Sequence, residues 1–428
     1  MKNLNLIENI LSKLIGADDY SVFATDTDSY ELFFVHGKLE TVRKSVHSSA
    51  QASVYVDHDG KRGCANFGIG VSADEAEITR KANEALARAN MIYDENYSIP
   101  SDSQPFDKTV GSNLCGKDEK QIGEAVANAV MQACRKDDCG INALEVFVTK
   151  RVSTVRNSRG VDKTQTKFTV SIEAIPTCDS EEESVELFET YTYGSLDADA
   201  ITREIEARIE DVSARAQAIK PAFKIDCPVI LNPYEIRTLF EEITSDADFA
   251  RIYQRANQHS VGDFWQTSAA KDKLNVTMRG IMKDSPASAL FDRDGTALCD
   301  RKIIQQGQIV AGYGSHRFAQ YLGEQPTGAI ACIDVECGNT PISEMLSLPH
   351  LECVYLSGLQ VDLYNDYIGG EIRLAYYFDG QKRIPVTGIA MSGKLSEVLD
   401  TLTLSKESAL LGAYRGPEKI RLEKMNVF

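Results

Sequence analysis

Apolar and polar positions alternate with two different periods along this chain, and the switches between them outline its elements. Leu4, Ile7, Leu11, Leu14 and Ile15 form a helical stripe that Gly16 is placed to end. SVFATDTD (from Ser21) and YELFFVHGKLETVRKS (from Tyr30) read as two strands joined by a polar turn. QASVYVDHDGKRGCANFGIG, from Gln51, reads as a hairpin about Asp59-Gly60. A helix with a small-residue face (Ala76, Ile78, Ala82, Ala85, Leu86, Ala89) follows, with Ser72 and Glu75 as its capping box. Ser98–Asp107 has the composition of a linker. Beyond it lie an amphipathic helix, two alternating strands turning at Asn157–Gly160, an acidic segment ending in a strand, and a long charged helix that stops before Pro221. DCPVILNP, from Asp226, reads as a buried strand. It leads into a short amphipathic helix, NPYEIRTLFEEI (Asn232–Ile243), with Pro in its first turn and Tyr234, Leu239, Phe240 and Ile243 near helical spacing. From Leu274 onward strands dominate, with turns at Asp294-Gly295, Gly369-Gly370 and Asp379-Gly380. The pattern predicts an α+β fold with mixed or antiparallel sheets and flanking helices, in three segments: 1–104, 105–222 and a strand-rich 223–428.

Composition narrows the function classes. The chain has 428 residues, 43% of them hydrophobic and 25% charged, with a formal net charge of −17. That charge and the absence of a long Lys/Arg cluster argue against nucleic acid as a partner. No apolar run is long enough to span a membrane, and the first residues do not read as an export signal, so a cytoplasmic protein is expected. The ten cysteines form no CxxC pair and have no finger-like spacing to His; they are expected to be free, mostly buried thiols.

The helix at Asn232–Ile243 carries the most informative chemistry. A zinc peptidase helix presents His, Glu and a second His on one face; in that register this chain has Tyr234, Glu235 and Leu239. A phenol and an alkyl group cannot replace two imidazoles, and without a metal-activated water Glu235 has no nucleophile to serve. Glu235 then reads as a first-turn acid favoured by the helix dipole. A displaced metal site could use His259 and Asp263, four residues apart, with the distant His316; a lone His is more often structural than a ligand. Cys332 and Cys337 have no neighbouring His and read as buried thiols. The glycines from Gly307 to Gly328 are too dispersed for a phosphate cradle. The acidic run Ser180–Glu189 reads as a solvated face.

Several separated segments, taken in order, resemble the TldD/PmbA family, whose PmbA type is also called TldE and which is often labelled a modulator of DNA gyrase. They are GKLETV (Gly37–Val42), GKRGCAN with the Ala-rich helix after it, the NSRG turn (Asn157–Gly160), the stretch Phe291–Gly328, and VTGIAMSGKLSEVLDTL (Val386–Leu402). The resemblance implies a split function. TldD-type subunits are zinc peptidases with His-Glu-x-x-x-His on a helix and a later Cys ligand, whereas PmbA-type subunits lack the ligands and pair with them around a chamber for unfolded peptides. Tyr234, Glu235 and Leu239 occupy the helix positions here, and the Cys position falls near LLGAYRGPEKI, where no Cys occurs after Cys353. The implied protein is a metal-free PmbA-type subunit without its own catalytic residues. Zinc is expected only in a TldD-type partner, and a homodimer is the alternative to that pairing. Peptide maturation or proteolysis is the implied setting. A stand-alone metallopeptidase with a displaced zinc site and a regulator of DNA gyrase are the alternatives.

Overall fold

The computed structural model describes residues 3–133, 138–179 and 184–428; Cys134 and residues 180–183 of the acidic run lie outside the described residues. The first segment contributes α1 (Leu4–Leu11), β1 (Asp19–Val35), β2 (Lys38–His58), β3 (Lys61–Gly70), α2 (Glu75–Ala89) and β4 (Tyr93–Glu95). The second contributes β5 (Phe106–Thr109), α3 (Glu119–Ala133), β6 (Cys139–Asn157), β7 (Asp162–Asp179), β8 (Ser184–Glu186), β9 (Glu189–Tyr193) and α4 (Ala198–Ala216). All of these strands join one sheet, ordered β4-β3-β2-β1-β6-β7-β5, with β8 and β9 also paired to β7. The two segments meet in the β1–β6 ladder, which runs from Ser21 opposite Asn157 to Val35 opposite Ala143. Helices α1 and α2 bury Ile7, Leu11, Ile78 and Ala82 on one half of the sheet. Helices α3 and α4 bury Val126, Val130, Ile201 and Ile205 on the other.

The third segment opens with β10 (Val229–Leu231), α5 (Pro233–Ser245), α6 (Phe249–Gln254), β11 (Val276–Arg279), β12 (Arg301–Gln305) and β13 (Gln308–Ile309). It continues through α7 (His316–Leu322), β14 (Cys332–Val335), α8 (Ile342–Ser347), β15 (His350–Asp362), β16 (Tyr367–Phe378) and β17 (Arg383–Val386). It closes with β18 (Ile389–Lys394), α9 (Leu395–Thr401), β19 (Thr403–Leu404), β20 (Ser408–Leu411), β21 (Tyr414–Pro417), β22 (Ile420–Leu422) and β23 (Asn426–Val427). One mixed sheet runs β19-β22-β10-β15-β16-β18-β23, with β17 on β16; a second runs β13-β12-β11-β14-β21-β20. A single apolar core with members from Ile225 to Met425 lies between them, and Phe240 of α5 and Tyr414 of β21 are among its largest buried side chains. This α+β architecture of mixed and antiparallel sheets is the one the alternation predicts.

Local differences from the sequence expectation have physical causes. The polar stretch Asp26–Ser29 does not turn, because β1 is hydrogen-bonded on both sides and its polar groups find cross-strand partners, Ser48 with Asp26 and Thr149 with Ser29. The chain reverses instead at His36 and Gly37, both at positive φ (46° and 72°). Gly369-Gly370 lies inside β16, where a Cβ on Gly370 would sit 2.8 Å from the Gly358 carbonyl oxygen; the glycines permit close strand packing there. α2 is capped by Asp74, whose carboxylate accepts from the Glu77 amide at 2.8 Å, and not by Ser72. α1 ends at Leu11, and Ile15 is exposed. Cys139 and Cys178, 39 residues apart, face each other across β6 and β7 as a disulfide; Cys64, Cys115, Cys299 and Cys337 are exposed, not buried.

The NSRG turn has a structural role. Its Ser158 hydroxyl (2.6 Å) and Arg159 guanidinium (both nitrogens at 2.8 Å) donate to the buried Asp19 carboxylate of β1, which also takes Arg62 of β3 at 2.6 Å. Burial alone would raise the Asp19 pKa, but these donors hold it at about 2. Arg62 is itself buried, with Asp57 as its other partner. Replacing Asp19 by Asn should destabilise the protein by about 3 kcal/mol, because a buried guanidinium loses a counter-charge. Urea unfolding checks this: a lower midpoint is expected, and an unchanged midpoint would remove the cluster from the stabilising set.

Candidate active site

α5 begins where it does because Pro233 occupies its first turn and Asn232, in extended conformation, precedes it. The Asn232 side chain does not cap the helix; its Oδ1 accepts from Lys419 Nζ at 2.7 Å. Ile236, Leu239, Phe240 and Ile243 form the buried stripe. Tyr234 does not join it, being 60% exposed, with the Arg237 guanidinium 5.1 Å over its ring. The three positions of the zinc register therefore diverge: Tyr234 points outward, Leu239 is fully buried in the core, and Glu235 is buried toward the second segment.

Glu235 borders a cavity of about 410 Å³ between the second and third segments. β9 contributes Glu189 and Tyr191, and β15 and β16 contribute Glu352 and Tyr376. α4 contributes Glu204, Arg208 and Asp211, at helical spacing on the face beside its buried isoleucines Ile201, Ile205 and Ile209. The C-terminal stretch in which the resemblance puts a Cys ligand supplies Leu411, Glu418 and Lys419. None of the lining residues is His or Cys.

Two carboxyls of this cavity show what decides ionisation. Glu352 is buried, which would raise its pKa, but Lys419 Nζ at 2.5 Å and Arg383 at 3.0 Å bring it below the ordinary value. Glu235 is 3% exposed and has no such cation among the described residues, and burial pushes its carboxyl up to about 8. Arg208 and Lys419 pull it down only partly, and Glu189 pushes it further up. The dipole-favoured charge expected at this first turn is outweighed by desolvation, and its Oε2 has no hydrogen-bond partner. Burial also lifts Glu189 to about 7 and raises Glu204 and Asp211.

The alternative metal ligands do not assemble. His259 Nδ1 lies 2.9 Å from the fully buried Asp246 carboxylate, and its ring packs 4.0 Å from Trp265. The Asp263 carboxylate accepts from the Ser260 amide at 2.8 Å and so closes its own loop. His316 lines a separate cavity of about 260 Å³ with Tyr55, Cys64, Tyr97 and Asp294. Among the described residues, no group of three or more His, Cys, Asp or Glu side chains is arranged to hold a metal ion. A zinc site does not fit the α5 register either, since Leu239 offers no donor and no imidazole or thiolate faces the cavity.

The third segment is built of two sheets and is opened by a buried strand and a helix that borders the cavity. Residues 224–428 match the PmbA/TldA metallopeptidase C-terminal domain family. The third segment is thus similar to the C-terminal domain of PmbA/TldA proteins. A metalloprotease of Synechocystis sp. is 22% identical over 434 residues, covering 93% of this chain and 90% of that protein. TldE from Thermococcus kodakarensis superposes with a TM-score of 0.78 at 15% identity, over 99% of each chain. A candidate modulator of a DNA gyrase from Thermotoga maritima superposes at 0.75 and 13% identity, over 99% of this chain and 100% of that one. At these identities the superpositions show a shared fold. Among the described residues no helix is long and apolar enough to cross a membrane.

Glu235 also sets a pH dependence. Its folded pKa of about 8 lies above the ordinary 4.5, so the folded chain holds the proton more tightly than the unfolded one. The associated stability is full below pH 4.5 and is lost as pH rises to about 8. At about 1.4 kcal/mol per pKa unit the loss amounts to a few kcal/mol. Glu235→Gln should leave stability unchanged at pH 5 and raise it at pH 8.5. Parallel pH profiles of the urea midpoint for the two proteins would contradict the placement of this carboxyl.

Proposed function

We propose that this chain is a metal-free, PmbA-type subunit of a peptidase assembly, holding unfolded peptide while a TldD-type zinc subunit carries out hydrolysis. The observation that carries this reading is the divergence of Tyr234, Glu235 and Leu239. The helix that would hold zinc has one ligand position turned to solvent and the other sealed in the core. Glu235 remains where a general base would stand, but no metal-bound water would be there for it to activate. Zinc, in this reading, belongs to the partner subunit. A second copy of this chain is the alternative occupant of the same interface.

Peptide capture by strand addition has support in the long hairpin. β2 pairs with β1 along its length, but β3 reaches only Ser49–His58. Among the described residues, nothing pairs with the other edge of Lys38–Ser48, which leaves backbone donors and acceptors open. Such an edge selects for extended chain with little regard to side chain, which suits unfolded peptides.

Elemental analysis and a peptidase assay on the purified chain test the reading. The expected result is no stoichiometric zinc and no chelator-sensitive cleavage by the chain alone. Near-stoichiometric zinc together with chelator-sensitive cleavage would overturn it in favour of a stand-alone enzyme.

A further inference from the structure

The cavity beside α5 holds seven carboxyl-bearing side chains against three cations. The cations are already committed: Lys419 and Arg383 to Glu352, and Arg208 to Asp211 at 3.1 Å. Glu189, Glu204 and Glu235 have no ion pair among the described residues, and Glu204 only accepts the Tyr193 hydroxyl at 2.6 Å. Among the described residues, three buried polar atoms at the cavity have no hydrogen-bond partner: Asp211 Oδ2, which is held by the Arg208 ion pair, and Glu235 Oε2 and the Tyr191 hydroxyl oxygen, which are not. Glu235 is 3% exposed and Tyr191 is 6% exposed. Unpartnered groups at that depth are costly to the folded chain unless something else supplies donors and positive charge.

A metal ion is poorly matched to this need, because the carboxyls come from four elements and a loop and, among the described residues, form no ligand cluster. A protonated amine suits it better. It brings three N–H donors and a single charge, accepts looser geometry than a metal, can lie against an aromatic ring such as that of Tyr191, and favours the ionised form of Glu235, whose proton leaves to solvent on binding. We propose that this cavity binds the ammonium group of a peptide, with Glu235 and Glu189 as its acceptors and Tyr191 as its third contact. A volume of about 410 Å³ admits a terminal residue along with the amine. The inference rests on the proposed peptide-holding role and deepens it by naming what anchors the chain: the α-amino terminus or a lysine side chain, which share this chemistry.

Calorimetric titration of the full chain, with chelator present, separates the possibilities. Three unstructured octapeptides are compared: a lysine-free peptide with a free amino terminus, its N-acetylated counterpart, and an N-acetylated peptide carrying one internal lysine. The free-terminus peptide is expected to bind at least tenfold more tightly than its acetylated counterpart, with Glu235→Gln and, separately, Glu189→Gln erasing the difference. The same gain in the lysine peptide alone would assign the cavity to lysine side chains, and the ammonium site would stand. Equal affinity for all three, no binding of any, or a preference that both variants retain would overturn it. A chain found to carry zinc and cut peptides would sink the proposed function, whereas loss of the ammonium preference in a zinc-free, inactive chain would sink this inference alone.

Discussion

Three residues, Val229, Ile230 and Leu231, fix where the chemistry of the third segment can be. They are fully buried in β10, which is hydrogen-bonded to β15 on one side and β22 on the other. A strand held on both edges has no freedom of register or direction. Its last residue therefore delivers Asn232 and Pro233 to one place, and α5 must start there. The stripe Ile236, Leu239, Phe240 and Ile243 then sets the helix's rotation, because that face has to enter the core. Once strand and stripe are satisfied, Glu235 has one direction left, toward α4 and β9.

The same constraint explains why the zinc register is incompatible with this helix. Leu239 is part of the core stripe, so a ligand at that position would have to leave the face on which the domain's stability rests. Across the cavity, Glu352 and Glu235 border one volume, yet their carboxyls shift in opposite directions. The difference is counter-charge: Lys419 and Arg383 reach Glu352, and among the described residues no cation reaches Glu235 within ion-pairing distance. The cavity is thus an acid-rich pocket with room for positive charge, on the surface where the second segment meets the peptidase-like domain.

Much of this arrangement was legible in the sequence, and the remainder was hidden for identifiable reasons. Hairpin turns at Asp59-Gly60 and Asn157–Gly160, the strand DCPVILNP and the helix after it all announce themselves through local chemistry. The fate of Tyr234, Glu235 and Leu239 could be partly read, since side-chain type alone rules out imidazole ligation. Their burial could not, because it depends on distant elements: the core strands of the third segment around Leu239, and α4 and β9 across the cavity from Glu235. The stripe Glu204, Arg208 and Asp211 was visible as helical spacing beside three isoleucines, but in a long charged helix it reads as a solvated face. The Cys139–Cys178 pairing and the Gly369-Gly370 packing are consequences of strand register, which spacing along the chain does not encode. His259, Asp263 and His316 looked combinable only because sequence separation hides that His259 is tied to Asp246 while His316 lies in a different cavity.

Glu235, in the first turn of α5, is a buried carboxyl without a counter-charge among the described residues. Carboxyl-carbon NMR of glutamate-labelled protein, with Glu235 assigned by comparison with a Gln variant, reads this directly. The structure predicts a resonance that titrates near pH 8 and is protonated at neutral pH in chelator-treated protein. A Glu235 resonance that titrates near 4.5, as an ordinary exposed glutamate does, would contradict the account.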